Sequence, residues 1–212
     1  MKDKICMVTG ATAGIGEVTA LELARQGAVV VIVGRDPDRS EGTLSKIRGE
    51  IPNAKVHYLL ADLSSFAQIR QLAEAFIMQF DRLDVLVNNA GGFFFKRQLS
   101  VDGIEMTFAL NHLNYFLLTH VMMDALKKSV APRVVNVASN AYKEHRLNFD
   151  DLQSVYRYNG LKSYGRSKLA NILFSYELAR RLKNTAITVN ALHPGLVLTN
   201  IGNNSGWLIS RI

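Results

Sequence analysis

Short β-branched runs alternate along the chain with longer stretches of helical periodicity. The apolar runs are ICMVT at 5–9, AVVVIVG at 28–34, KVHYLLA at 55–61, LDVLVNN at 83–89, RVVNVAS at 133–139 and AITVNAL at 186–192. Several are continuous rather than strictly alternating, the pattern of strands covered on both faces of a parallel sheet. Between them the periodicity predicts helices over 15–26, 37–49, 65–79, 102–129 and 162–183. This βαβ rhythm predicts a doubly wound α/β fold with ligands beyond the carboxyl ends of the strands. It holds through residue 199 and dissolves in NIGNNSGWLISRI, 200–212.

Composition narrows this picture modestly. A chain of 212 residues with 48% hydrophobic content can bury one good core, so a single domain is expected. The 25 basic residues outnumber the 18 acidic ones, giving a net charge of +7, but they are scattered from Lys2 to Arg211. A nucleic-acid binder concentrates its charge on one face, so no nucleic-acid partner is expected, and an anionic cofactor explains part of the excess. Cys6 is the single cysteine and sits in an apolar run, which rules out a disulfide within the chain and suits a reducing, cytoplasmic setting. The opening residues lack a signal-peptide core, and no run approaches the roughly 20 apolar residues of a membrane span.

TGATAGIG, Thr9 to Gly16, lies between the first strand and the first helix. There Gly10, Gly14 and Gly16 permit a tight turn and close approach of a ligand, and the helix N–H groups face an anion. The spacing is G-x-x-x-G-x-G. Together with NNAG at 88–91 and the Y-x-x-x-K of Tyr164 and Lys168, it resembles the short-chain dehydrogenase/reductase family, in the same order and over nearly the whole chain. The segments GRDPDRSEG, LNHLNYFLLT, SYGRSKLANILFSYELARRL and HPGLVLTNI look like its retinol dehydrogenase branch. The resemblance implies a Rossmann-type sheet of order 3-2-1-4-5-6. Residues 1–199 would form the dinucleotide-binding and catalytic domain and 200–212 the start of a substrate-covering segment, with the family's seventh strand missing.

A cofactor-binding set follows from the same resemblance. Gly10, Thr12, Gly14, Ile15 and Gly16 form the phosphate loop. Asp62 accepts from the adenine amino group beside Leu63, and Asn89, Ala90 and Gly91 line the adenosine side. Pro194, Gly195, Val197 and Thr199 hold the nicotinamide carboxamide and pyrophosphate, with His193 structural. At the end of the second strand Gly34 carries no carboxylate, and Arg35 follows, a planar guanidinium suited to a 2′-phosphate. NADP(H) is therefore expected, with Asp36 capping the next helix at Pro37.

Carbonyl reduction or alcohol oxidation needs an acid/base near neutrality, and unperturbed tyrosine, at about 10, is too weak. An ammonium one helical turn away, at Lys168, favours the phenolate of Tyr164, a nearby cationic nicotinamide adds to that effect, and both residues are expected to touch the cofactor, Lys168 through its ribose hydroxyls. Ser139, at the carboxyl end of the fifth strand, can donate to the developing oxyanion. The resemblance adds Asn111, which interrupts a mostly apolar stripe of Ile104, Phe108, Tyr115, Leu118 and Met122. In the family this asparagine kinks its helix and binds a relay water, whereas Asn114 is structural. The tetrad calls for no metal.

The expected substrate is a small apolar carbonyl or alcohol. A second reading keeps the fold and the cofactor without turnover, as a regulatory or scaffold protein. GGFFFKRQL after Gly91 either lines an apolar pocket or packs beneath the following helix. The stripe of Leu169, Ile172, Leu173, Tyr176 and Ala179 serves either the sheet or the helix pairing that makes family members dimers or tetramers.

Overall fold

The continuous apolar runs assemble into one parallel sheet because each strand needs cover on both faces. A computed structural model of the protein describes residues 1–195. Its strands are β1 (Ile5–Thr9), β2 (Val29–Gly34), β3 (Val56–Leu60), β4 (Val85–Asn88), β5 (Arg133–Val137) and β6 (Thr188–Leu192). All neighbours pair in parallel, in the order β3-β2-β1-β4-β5-β6. The expected strand order is thus observed.

Alternation along β1 divides the core. Ile5 and Met7 join Phe76, Leu118, Met122 and Leu126 on one face, and Cys6 and Val8 join Ala20, Ala24, Leu44 and Ile47 on the other. The second face is built by helices α1 (Gly14–Arg25) and α2 (Pro37–Glu50), the first by α3 (Phe66–Gln79) and the segment that follows β4. Burying a side chain the size of Phe76 contributes roughly 1.5–3 kcal/mol. Burial also pushes the Cys6 thiol up to about 12, so it stays protonated and inert.

The expected single helix over 102–129 is four pieces. Glu105 accepts from the N–H groups of Thr107 and Phe108 at 2.8 and 2.9 Å, which starts α4 (Met106–Phe108) four residues later than the periodicity indicated. A π-helical turn, Ala109–Leu113, follows, then α5 (Asn114–Val121) and, past Met122, α6 (Met123–Lys127). Capping and the one-residue widening are invisible to an apolar count.

The last helix, α7 (Gly160–Arg181), is capped by the Asn159 carboxamide, which accepts from the Lys162 N–H at 3.0 Å. Its buried face is built from Ser163, Gly165, Ser167, Lys168, Ala170, Asn171 and Ser175, while Leu169, Ile172 and Ala179 of the apolar stripe are only partly buried. Leu173 and Tyr176 are 46% and 73% exposed. The side that holds Tyr164 and Lys168 in place is therefore built from small and hydrogen-bonded polar groups rather than from the leucine stripe.

Candidate active site

The glycine loop is shaped by Thr9 and Asn89 from below. The Thr9 hydroxyl accepts from the N–H groups of Asn89 and Ala90 at 2.9 and 3.0 Å and donates to the Val87 carbonyl at 3.2 Å. Asn89 in turn donates through Nδ2 to the carbonyls of Thr9 and Gly10 at 2.8 and 3.3 Å. Gly10 has φ +64°, and a Cβ there would lie 2.8 Å from the Ala90 Cα, so no other residue fits. Gly16 does not line the cleft as expected; a Cβ at Gly16 would collide with the Gly10 carbonyl, so it serves the close packing of α1 under the loop. Ala13 starts α1 without a capping side chain, which leaves the first-turn N–H groups to an anion in the cleft.

That cleft, about 610 Å³, runs over the carboxyl ends of the strands and gathers most of the expected residues. Gly10, Thr12, Gly14, Ile15, Arg35, Asp62, Leu63, Asn89, Ala90, Gly91, Ser139, Tyr164, Lys168, Pro194 and Gly195 all line it. Val197 and Thr199, and the segment 200–212, lie outside the described residues. His193 lines the rim and is exposed.

At the β2 end, Gly34 is required by space as well as charge. A Cβ there would lie 2.6 Å from both Ser40 Oγ and Thr12 Cγ2, so any acidic side chain would displace the loop. Asp36 caps α2 as expected, accepting from the Arg39 N–H at 3.0 Å. Arg39 was not anticipated: it lines the cleft with Arg35 and donates to the Thr12 carbonyl at 3.4 Å. The signal was present in the four-residue spacing of Arg35 and Arg39 around a helix start. Asp62 Oδ1 accepts from the Ser64 N–H and hydroxyl at 2.9 and 2.8 Å, while Ser65 caps α3, so Asp62 is not the helix cap.

At the other end, Ser139 follows β5 and Tyr164 and Lys168 project from the first turns of α7. Lys168 is buried, its Nζ donates to the Val137 carbonyl at 2.9 Å, and it sits 5.6 Å from the Tyr164 ring centroid. Burial pulls the ammonium down to about 8. The expected lowering of the Tyr164 phenol is not what the structure shows: burial raises it, and the Ser139 hydroxyl bonded to it lowers it only in part. With Lys168 held on Val137, Tyr164 stays a neutral O–H donor. Phe93 and Phe94 are buried, and Phe93 stacks 5.7 Å from Tyr164, while Phe95 is 44% exposed. The aromatic run thus both packs inward and walls the phenol.

Asn111 is brought near but not into the cleft. It is fully buried in the π turn, where Oδ1 accepts from the Gly92 N–H at 2.8 Å and Nδ2 donates to the Gly92 carbonyl at 2.9 Å and to Ser167 Oγ at 3.2 Å. Its amide therefore props the loop after β4 that carries Gly91 and Gly92, and a π turn at such a place accords with the use of these turns at functional sites.

Comparison with known proteins agrees with this geometry. Residues 4–206 match the family model described as short chain dehydrogenase. The chain is 45% identical over 202 residues to mouse (Mus musculus) retinol dehydrogenase 12, covering 95% of this chain and 64% of that protein. It is 43% identical over 204 residues to human (Homo sapiens) retinol dehydrogenase 13, covering 96% of this chain and 62% of that protein, so it spans under two thirds of these relatives. Among solved structures, the Pseudomonas aeruginosa RhlG/NADP active-site complex superposes with a TM-score of 0.79 at 30% identity, covering 96% of this chain and 77% of that one. A Shigella flexneri short chain dehydrogenase complexed with NADP gives 0.76 at 25% identity, covering 92% and 77%. A glycine loop on the first βα turn, a tyrosine and lysine one helical turn apart on α7, and a family match over residues 4–206 place this chain in the short-chain dehydrogenase family.

Proposed function

We propose that the cleft binds NADP(H) and that the protein interconverts a carbonyl and an alcohol on an apolar substrate. The observation that carries this reading is the meeting of Ser139, Tyr164 and Lys168 in the same cleft as the uncapped, glycine-built start of α1. The loop leaves room for a pyrophosphate against backbone N–H groups, and Arg35 and Arg39 place two guanidinium groups beside Gly34, which fits a 2′-phosphate. When bound, the reduced nicotinamide would supply a hydride to the carbonyl carbon. Tyr164 gives its phenolic proton to the carbonyl oxygen, Ser139 donates a hydrogen bond to the same oxygen, and the Lys168 ammonium stabilises the phenolate left behind. Solvent restores the proton.

The aromatic wall of Phe93 and the half-exposed Phe95 favours an apolar substrate, as do the names of the retinol dehydrogenases to which the chain is similar. The apolar outward residues Phe116, Leu173 and Tyr176 on α5 and α7 favour pairing of copies of the chain.

The test is NADPH oxidation by the purified protein over a panel of aliphatic and aromatic aldehydes and ketones. Turnover supports the reading, whereas tight NADPH binding with no turnover favours a cofactor-binding protein without chemistry. Cofactor choice has its own expectation. Arg35→Ala and Arg39→Ala should each weaken NADPH binding by about 10- to 100-fold, the value of one charged hydrogen bond. NADH binding should change little, and equal losses for both cofactors would remove the phosphate assignment.

A further inference from the structure

The polar row on the buried face of α7 contains a residue that the proton-transfer scheme does not use. Asn171 is fully buried. Its Nδ2 donates to the main-chain carbonyl of Asn111 at 2.8 Å. That orients the amide, so Oδ1 faces His112 Nδ1 at 3.0 Å, and the imidazole must carry its proton on Nδ1. The carbonyl of the preceding residue, Leu110, accepts from Asn114 Nδ2 at 2.9 Å. Two consecutive carbonyls of the π turn thus accept from side-chain amides, one on its own helix and one on α7.

A π turn widens the helical ladder by one residue and is uncommon without outside support. Three bonds tie this one to α7: the side-chain contact of Asn111 with Ser167 Oγ at 3.2 Å, that of His112 Nδ1 with Asn171 Oδ1 at 3.0 Å, and the shorter grip of Asn171 on the main chain. If the turn relaxed to α-helix, the displaced residue would rotate by about 100° around the axis. Asn111 would then leave the N–H and carbonyl of Gly92. Gly91 lies close by: a Cβ there would sit 3.1 Å from Asn111 Oδ1 and 3.8 Å from Lys168 Nζ. The floor beneath the ammonium depends on the turn staying wide.

We propose that Asn171 is a positioning residue for the reaction: its amide locks the π turn, and through Asn111 and Gly91–Gly92 it holds the cleft floor in register with Lys168 and Tyr164. The effect on catalysis rests on the oxidoreductase reading of the cleft; the locking of the turn does not. Asn171 lies four residues after Ser167 and three after Lys168, so one helix carries the proposed proton donor, its ammonium and the clasp.

The experiment combines steady-state reduction of an aldehyde, NADPH affinity and backbone hydrogen exchange over residues 109–114. It uses the purified protein, Asn171→Leu and His112→Phe. Asn171→Leu should lower kcat by about 10- to 100-fold, the cost of a misplaced reactive group. The aldehyde KM and NADPH affinity should stay within about threefold, and exchange over 109–114 should rise. His112→Phe removes the side-chain tie and keeps the Asn171 bond to the Asn111 carbonyl, so it should raise exchange less than Asn171→Leu and leave kcat within about threefold of the unchanged protein. Should Asn171→Leu fail to fold, Asn171→Ser, whose hydroxyl is too short to reach the Asn111 carbonyl, carries the same expectation.

Unchanged exchange over 109–114 would overturn the lock. Increased exchange with unchanged kcat would overturn the catalytic consequence. Equal falls in kcat, NADPH affinity and melting temperature would do so as well, since they describe a plain core residue. If the unchanged protein reduces no aldehyde while Asn171→Leu still raises exchange, the oxidoreductase reading fails and the lock stands.

Discussion

Replacing Tyr164 with phenylalanine is expected to lower kcat for carbonyl reduction by about 10²- to 10⁴-fold, the usual contribution of a placed general acid. NADPH affinity should hardly change. The ring stays, with its stacking on Phe93 at 5.7 Å, and only the hydroxyl that meets Ser139 is lost. Burial raises the phenol above its ordinary value, so in the resting protein the proton is present across the whole working range. Steady-state kinetics of the variant together with an NADPH titration check this. A Tyr164→Phe protein of full activity would remove the proton-donor assignment.

Lys168→Met carries the second large expectation, because activity and stability should move in opposite directions. Methionine has nearly the same length and no charge, so kcat should fall by about 10²-fold or more as the phenolate loses its compensating ammonium. The folded protein should meanwhile become more stable below pH 8. Burial pulls the ammonium down to about 8 from 10.5, so holding it charged in the fold costs on the order of 3 kcal/mol, partly offset by its bond to Val137. The folded pKa is depressed, so between about 8 and 10.5 the unfolded chain binds the extra proton. Stability owed to Lys168 therefore rises with pH through that window, by about 1.4 kcal/mol per unit. The advantage of Lys168→Met should be largest below pH 8 and shrink above it. Comparing variant with parent also cancels the buried Cys6 and Tyr115, whose raised pKa values weaken the fold as pH climbs past their unfolded values. Urea titrations of both proteins at several pH values measure the difference, and a gap that does not change with pH would contradict the burial of a charged Lys168.

The chain's apolar periodicity carried the sheet well, because strands buried on both faces leave an uninterrupted apolar run. β1 at Ile5–Thr9 coincides with the run ICMVT, and the other strands differ from their runs only at the ends. Glycine positions were legible for a related reason: Gly10 and Gly34 occupy places where a Cβ would meet neighbours at 2.8 and 2.6 Å. Helix interiors were less so. In the π turn at Ala109–Leu113 the Leu110 and Asn111 carbonyls accept from the Asn114 and Asn171 side chains, and Asn171 lies 60 residues beyond Asn111. On α7 the inward face carries serines, an asparagine and a lysine whose side chains bond to main-chain carbonyls, which an apolar count does not register. Spacing brings Lys168 near Tyr164, but in the protein without cofactor burial outweighs the Ser139 hydrogen bond and holds the phenol above its ordinary value. Arg39 reads from sequence as a solvated helix-start arginine, and only the fold puts the Thr12 carbonyl beside it.

The most direct measurement of the central claim is the product balance of the purified protein with NADPH and an apolar aldehyde, run beside Tyr164→Phe. Alcohol should form mole for mole with NADPH consumed, and both should cease together in the variant. NADPH bound by both proteins with no alcohol formed by either would contradict it.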